Sequence, residues 1–195
     1  MKLAIILGST REGRVTERLA KWVVQGAKEL PDTQVEFIDL KDYPMPFFEE
    51  PISPRYNPDR KPEGNVQKWL EKLGAADAYI FVTPEYNHSI SGVLKNAIDY
   101  IDFQLVKKPA TAVSHGSVGG GRAILQLKEI LSESKAAIIP SQIAFTGRVT
   151  ESMDEAGNLS EEVKAQQYGP QAALKNMLEE LKWYSDALAA GRTKG

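Results

Sequence analysis

Short apolar runs alternate with amphipathic stretches along the chain. Residues 3–7, Leu-Ala-Ile-Ile-Leu, are continuously apolar, as a strand buried on both faces requires. A polar segment follows over residues 8–14. Val15, Leu19, Trp22, Val23, Ala27 and Leu30 then recur at helical spacing, and Pro31-Asp32 closes that helix. Val35, Phe37 and Ile38 predict a second strand, and Tyr79-Ile80-Phe81-Val82 a third that stops at Pro84. Val93, Leu94, Ala97, Ile98 and Ile101 form the next helical stripe. Residues 110–114 predict a fourth strand, followed by a glycine cluster. Ile124, Leu125, Lys128 and Leu131 mark another helix. Ala137-Ile138-Ile139 predicts a fifth strand, with an extension toward Phe145. A long terminal helix is expected over residues 160–190, with Ser160 as its N-cap. Trp22 and Trp69 sit on helical stripes and are expected in the core; Leu178, Leu181 and Trp183 are expected to pack the terminal helix.

Five strands interleaved with helices predict an α/β fold, with parallel pairing through right-handed crossovers. No repeat and no second compositional block divides the chain, so residues 1–195 read as one domain. One segment breaks the rhythm. Pro44, Pro46, Pro51, Pro54, Pro58 and Pro62 crowd together, which excludes a helix or a central strand. This extended loop also carries Tyr43, Phe47, Phe48 and Tyr56. Two readings stand: a rigid connector whose aromatics cover a helix edge, or a surface that meets a partner subunit or roofs a site.

Composition narrows the function. The 195 residues include 24 Lys+Arg and 26 Asp+Glu, so no polybasic footprint for nucleic acid is present. The absence of cysteine excludes disulfides, thiol nucleophiles and cysteine-held metals. No apolar run approaches the ~18 residues of a membrane helix, and the first apolar run is too short for a signal peptide. The expectation is a soluble cytoplasmic protein without nucleic-acid or membrane partners.

Candidate chemistry gathers after the strands. In open α/β sheets, ligands lie beyond the carboxyl ends of the strands. Gly8-Ser9-Thr10-Arg11-Glu12-Gly13-Arg14-Val15-Thr16 joins the first strand to the first helix. A helix N-terminus there offers free N–H groups and a positive dipole end. Hydroxyls of Ser9, Thr10 and Thr16 add donors, and Arg11 and Arg14 add charge and forked geometry. Together these describe an anion site, most simply for phosphate. No Gly-Lys-Ser/Thr follows and no Gly-x-Gly-x-x-Gly occurs here, so it is neither a triphosphate loop nor a dinucleotide fingerprint. The third strand ends in Thr83-Pro84-Glu85-Tyr86-Asn87-His88-Ser89, and the fourth in Ser114-His115-Gly116-Ser117-Val118-Gly119-Gly120. Three such loops side by side suit a flat polar ring attached to a phosphate.

These stretches resemble the NADPH-dependent FMN reductase family, the flavodoxin-like group that includes azoreductases and quinone reductases. Gly8-Ser9-Thr10-Arg11 is similar to its phosphate loop. Pro84-Glu85-Tyr86-Asn87-His88-Ser89, then Gly92 and Leu94-Lys95-Asn96-Ala97-Ile98-Asp99, resembles its most distinctive motif. Ser114-x-Gly116 with Gly119-Gly120 and Arg122-Ala123 resembles its third loop. The resemblance implies a three-layer sandwich around a five-stranded parallel sheet in the order 2-1-3-4-5. It also implies that Ser9, Arg11 and Thr16 hold the FMN phosphate, with Arg14 a weaker candidate. Pro84, Glu85, Tyr86 and Asn87 would line the flavin ring, largely through backbone groups. Ser114 and Gly116 would approach its other polar edge, with Gly119 and Gly120 permitting close approach. The implied activity passes hydride from NADPH or NADH through the flavin to a quinone, azo compound or free flavin. No acid–base residue is obligatory in the family, and a homodimer or homotetramer is implied, with the proline loop and the helix after Asn87 at the interface.

The remaining chemistry-bearing residues do not displace this reading. His88 and His115 without nearby carboxylate pairs make a poor metal site. Glu85 could be a general base, but the family pattern favours its backbone. Tyr86 has two readings, stacking near the flavin or plugging the loop. An electron carrier on the same fold would use a strongly charged docking surface, which a net charge of -2 does not provide. A flavin redox sensor acting through a protein partner stays open at this level.

Overall fold

The computed structural model describes residues 1–193. Its strands are β1 (Lys2–Leu7), β2 (Gln34–Asp39), β3 (Ala78–Pro84), β4 (Pro109–His115), β5 (Ala137–Ile138) and β6 (Ile143–Phe145). Its helices are α1 (Thr16–Lys28), α2 (Gly64–Ala75), α3 (Gly92–Asp99), α4 (Gly121–Glu133), α5 (Val149–Ser152), α6 (Glu161–Lys164) and α7 (Pro170–Arg192). The strands pair in parallel in the order β2-β1-β3-β4-β5, as the resemblance implied, and β6 also pairs with β4.

Alternation along β1 divides the interior into two cores. Leu3, Ile5 and Leu7 face one side with Leu19, Val23, Leu174, Met177 and Leu181 of α1 and α7. Ala4 and Ile6 face the other with Trp69, Leu73, Leu94, Ile98 and Leu127 of α2, α3 and α4. A side chain pointing to either face is therefore removed from water, which explains the continuously apolar strands. Each fully buried Leu or Ile contributes roughly 1.5–3 kcal/mol. Trp22 and Trp69 are core residues as expected, and Trp69 Nε1 donates to Ala97 O at 2.8 Å.

Three expectations need correction. The fifth strand is interrupted: β5 pairs with the start of β4 and β6 with its end. Pro140 lies in the gap and has no N–H for a ladder. There the Thr111 hydroxyl donates to Ser141 O, replacing a ladder contact by a side-chain one. The terminal helix is also broken. Ser160 does cap α6, accepting from Val163 N, but Pro170 holds the first position of α7 and Gly169 before it is extended. Thirdly, Trp183 is 65% exposed and meets Tyr184 edge-on, while Leu178 and Leu181 pack inward as expected. Leu125 is likewise exposed; the buried stripe of α4 is Ala123, Ile124, Leu127 and Leu131.

The proline loop is pinned rather than loose. Asn96 accepts from Phe48 N and donates to Pro46 O, both at 2.8 Å. The Tyr100 hydroxyl donates to Pro46 O, and its ring meets Phe48 edge-on. Arg60 makes a forked pair with Glu50 at 2.7 and 2.8 Å and a third contact with Asp102 at 3.0 Å. Tyr43 and Phe48 thus cover the core as the connector reading expected, whereas Phe47 and Tyr56 are 87% and 79% exposed. The Arg60 side chain is only 6% exposed, so its loss strands two largely covered carboxylates. Arg60→Met is expected to cost about 2–4 kcal/mol in thermal or denaturant unfolding. Limited proteolysis should then cut first within residues 44–62.

Candidate active site

Strand order reverses between β1 and β3, so the crevice beyond their carboxyl ends is the topological switch point. The loop after β1 is held there at its root. Gly8 N donates to Val82 O at 2.8 Å, and the Ser91 hydroxyl donates to Gly8 O. Ser91 also accepts from Leu94 N, capping α3. A Cβ on Gly8 would lie 2.8 Å from Leu94 Cδ2 and 3.2 Å from Val82 O, so a side chain there would force Leu94 to shift.

Beyond the root the donors are free. The N–H groups of Ser9, Thr10, Arg11, Glu12 and Gly13 find no backbone acceptor among the described residues. Arg11 is exposed and makes no ion pair among them. Arg14 behaves differently. Its side chain is 8% exposed, pairs in a fork with Asp39 and donates to Ser9 O. Arg14 shapes the loop from inside, and Arg11 is the cation left for a ligand.

The loop after β3 is a rigid hairpin. Tyr86 N donates to Ser89 O at 2.9 Å and Ser89 N to Tyr86 O at 3.0 Å. Asn87 and His88 between them both have positive φ, 49° and 67°, as a type I′ turn demands. Their own N–H groups find no backbone acceptor among the described residues. Tyr86 reaches the first loop, its hydroxyl 3.4 Å from Ser9 Oγ. Pro84 is buried as the last residue of β3.

Glu85 ties this hairpin to the third loop. Its N–H donates to His115 O at 2.8 Å. Its carboxylate accepts from Arg122 Nε at 2.8 Å and from Arg122 N at 3.1 Å, at the start of α4. Burial opposes its ionisation. Hydrogen bonds from the Arg122 side chain and from the N–H groups of Ala123 and Arg122 outweigh that and hold its pKa below the usual glutamate value. A carboxylate so committed is a clamp, not a general base.

The third loop is packed tightly. Ser114 is fully buried and its hydroxyl has no partner among the described residues. Gly119 and Gly120 have positive φ, and a Cβ on Gly120 would overlap Ser114 Oγ and lie 2.8 Å from His115 N. A Cβ on Gly116 would press on Glu85 Cβ at 3.0 Å. Thr16, in the first turn of α1, is buried and its hydroxyl sits 2.8 Å from His115 Nε2. Burial lowers the His115 pKa to about 4, so the ring is neutral near pH 7.

The predicted residues therefore come together at one sheet edge, but not all in the same capacity. Ser9, Arg11 and the Asn87 turn carry free or accessible donors, whereas the side chains of Glu85 and Ser114 are turned to the protein and the buried Thr16 hydroxyl meets His115. Pattern reading missed the Glu85–Arg122 clamp and the Thr16–His115 and Tyr86–Ser9 contacts. The only signal for them was that acid, base and hydroxyl residues fall in loops that parallel pairing brings together. A groove of about 830 Å³ between α1 and α7 and a cavity of about 390 Å³ beyond β6 are lined by none of these residues.

A 2-1-3-4-5 parallel sheet with an anion loop at its β1/β3 switch point defines a flavodoxin-like protein. The donor set fits a flavin mononucleotide. Free amides and Arg11 suit a dianionic phosphate, and the free amides of the Asn87–His88 turn suit the polar edge of a flat ring. The family described as NADPH-dependent FMN reductase matches residues 1–150, and the chain belongs to it. It is thus an oxidoreductase that works with FMN and NAD(P)H. An NAD(P)H-dependent FMN reductase of Schizosaccharomyces pombe is 34% identical over 145 residues, covering 74% of this chain and 72% of that protein. An FMN-dependent NADPH-azoreductase of Staphylococcus haemolyticus is 33% identical over 147 residues, covering 74% and 76%. In fold, the chain is similar to the flavoenzyme FerB of Paracoccus denitrificans, with TM-score 0.71, 23% identity and 97% of both chains covered. Among the described residues no helix is long and apolar enough to cross a membrane.

Glu85→Gln is expected to lower stability by about 1.5–3 kcal/mol at pH 7, since it weakens charge-assisted bonds at the α4 N-terminus. The folded pKa lies below the unfolded one, so this contribution is full above the ordinary glutamate pKa of about 4.3. It fades as pH falls through the lower folded value. Unfolding measured from pH 7 to 3 should show the gap between parent and variant closing on the acid side.

Proposed function

We propose that this chain binds FMN with the phosphate at the loop after β1 and the ring against the turn after β3, and reduces small acceptors at the expense of NAD(P)H. The acceptors are quinones, azo compounds or free flavin. One observation carries the placement. Among the described residues, five consecutive amides without a backbone acceptor and the unpaired Arg11 stand at the switch point, next to a turn with two further such amides.

When bound, FMN would supply the hydride-accepting and hydride-donating centre. The chain's own work is positioning. The amides of Ser9, Thr10 and Gly13 would donate to the phosphate, and the Arg11 guanidinium would offset part of its charge. The Asn87 and His88 amides offer donors to the ring's polar edge, where negative charge grows on reduction. Glu85 and Arg122 fix the height of that turn, and Gly116 and Gly120 let backbone come close. Neither Glu85 nor His115 is set up to take a proton from substrate, since Glu85 is committed to Arg122 and burial makes His115 a weak base.

Ser114 would act chiefly through the third loop, where it packs against Gly120, while Thr16 at the start of α1 would offer its hydroxyl to the phosphate. The assembly would be a homodimer or homotetramer in which the exposed Phe47, Tyr56 and Phe103 meet a second copy. The chain would fold as a single domain and work in the cytoplasm.

Arg11→Ala should weaken FMN binding by about 1.5–3 kcal/mol, read by quenching of flavin fluorescence, with unfolding unchanged. Unchanged affinity would remove Arg11 from the site. Purified protein loaded with FMN and exposed anaerobically to NADPH should lose its visible flavin band and regain it on adding a quinone. A band that never bleaches would defeat the reductase reading. Light scattering at micromolar concentration should report a dimer or tetramer, and a monomer would defeat that assignment.

A further inference from the structure

We propose that His115 is a positioning residue for the anion: its Nε2–H donates to Thr16 Oγ1 and so leaves the Thr16 hydroxyl proton free to donate to phosphate. The inference rests on the reading that the FMN phosphate sits at the start of α1.

The two side chains come from opposite sides of the site. Thr16 opens α1, and His115 ends β4, far away in sequence. Their polar atoms are 2.8 Å apart, and Thr16 is 1% exposed. A threonine hydroxyl has one proton and two lone pairs. If that proton went to His115, the hydroxyl would present only lone pairs to an anion. The donor count at the helix terminus would then fall by one, and repulsion would be added. With the proton on Nε2, the hydroxyl accepts from the ring and keeps its own proton to give.

The surroundings favour that arrangement. Which imidazole nitrogen carries the proton is set by what the other one bonds to. His115 Nδ1 has no hydrogen-bond partner among the described residues, so no carbonyl or carboxylate holds a proton there. The ring is also not cationic at neutral pH, because burial disfavours its charged form and no carboxylate pairs with it among the described residues. His115 therefore contributes direction rather than charge. Its backbone is fixed independently, since His115 O accepts from Glu85 N and its strand pairs with Pro84 and Phe145. The ring thus transmits the position of the second and third loops to the first turn of α1.

The test compares FMN with riboflavin, which lacks the phosphate, by fluorescence quenching. His115→Phe should weaken FMN roughly tenfold and leave riboflavin unchanged. Thr16→Val should do the same, and the double variant should be little worse than either single one. His115→Gln, whose side-chain amide can stand in for Nε2–H, should recover most of the loss. Nitrogen-15 NMR of the unaltered protein with FMN should show a protonated Nε2 and an unprotonated Nδ1 on His115. This readout does not depend on any variant folding. Equal losses for both flavins, additive effects of the two substitutions, or a proton on Nδ1 would overturn the role of His115 alone. Parent protein that binds FMN no better than riboflavin would overturn the phosphate reading, and this inference with it.

Discussion

Three loops that leave different strands have to be held at one height without a covalent link between them. The ionised Glu85 does most of this. Its amide is bonded to the end of β4, and its carboxylate to Arg122 and the first amides of α4. The next residue begins the Asn87–His88 turn, and the residue that accepts its amide, His115, touches Thr16. A single buried charge therefore joins the second loop to the third and, through the third, to the first. The arrangement is stable because the charge meets a forked cation and a helix N-terminus together, which offsets the cost of its burial.

The same economy shows in the glycines. Gly8 and Gly120 occupy places where a Cβ would strike Leu94 or Ser114, so their absence of side chain sets how closely loop and helix approach. Arg14 completes the first loop by bonding inward to Asp39 and Ser9. Of the two arginines in this loop, one stiffens the cradle and the other is left to face a ligand.

Much of this is legible in the sequence. The strands were readable because burial on both faces leaves continuous apolar runs, and the helices because each buries one stripe. The loops at the sheet edge were readable because parallel topology brings successive strand ends together. What failed was local. Pro140 interrupts the fifth strand, and Gly169-Pro170 splits the final helix, although a hydrophobic pattern passes through both. Trp183 sits at helical spacing but beyond the reach of the core. The partners of Glu85, Arg14 and His115 were not readable at all, because the contacts span 37, 25 and 99 residues. Sequence spacing carries no information about which rotamer bridges such a gap.

The pinned proline loop has a consequence in entropy. Prolines restrict the unfolded chain, so ordering this segment costs less on folding than its length suggests. Arg60, Asn96 and Tyr100 then hold it in place while Phe47 and Tyr56 stay in water. A surface that meets those rings finds their backbone already immobilised. Association there has little loop freedom left to lose, and more of the energy of burying two aromatic rings is retained as affinity.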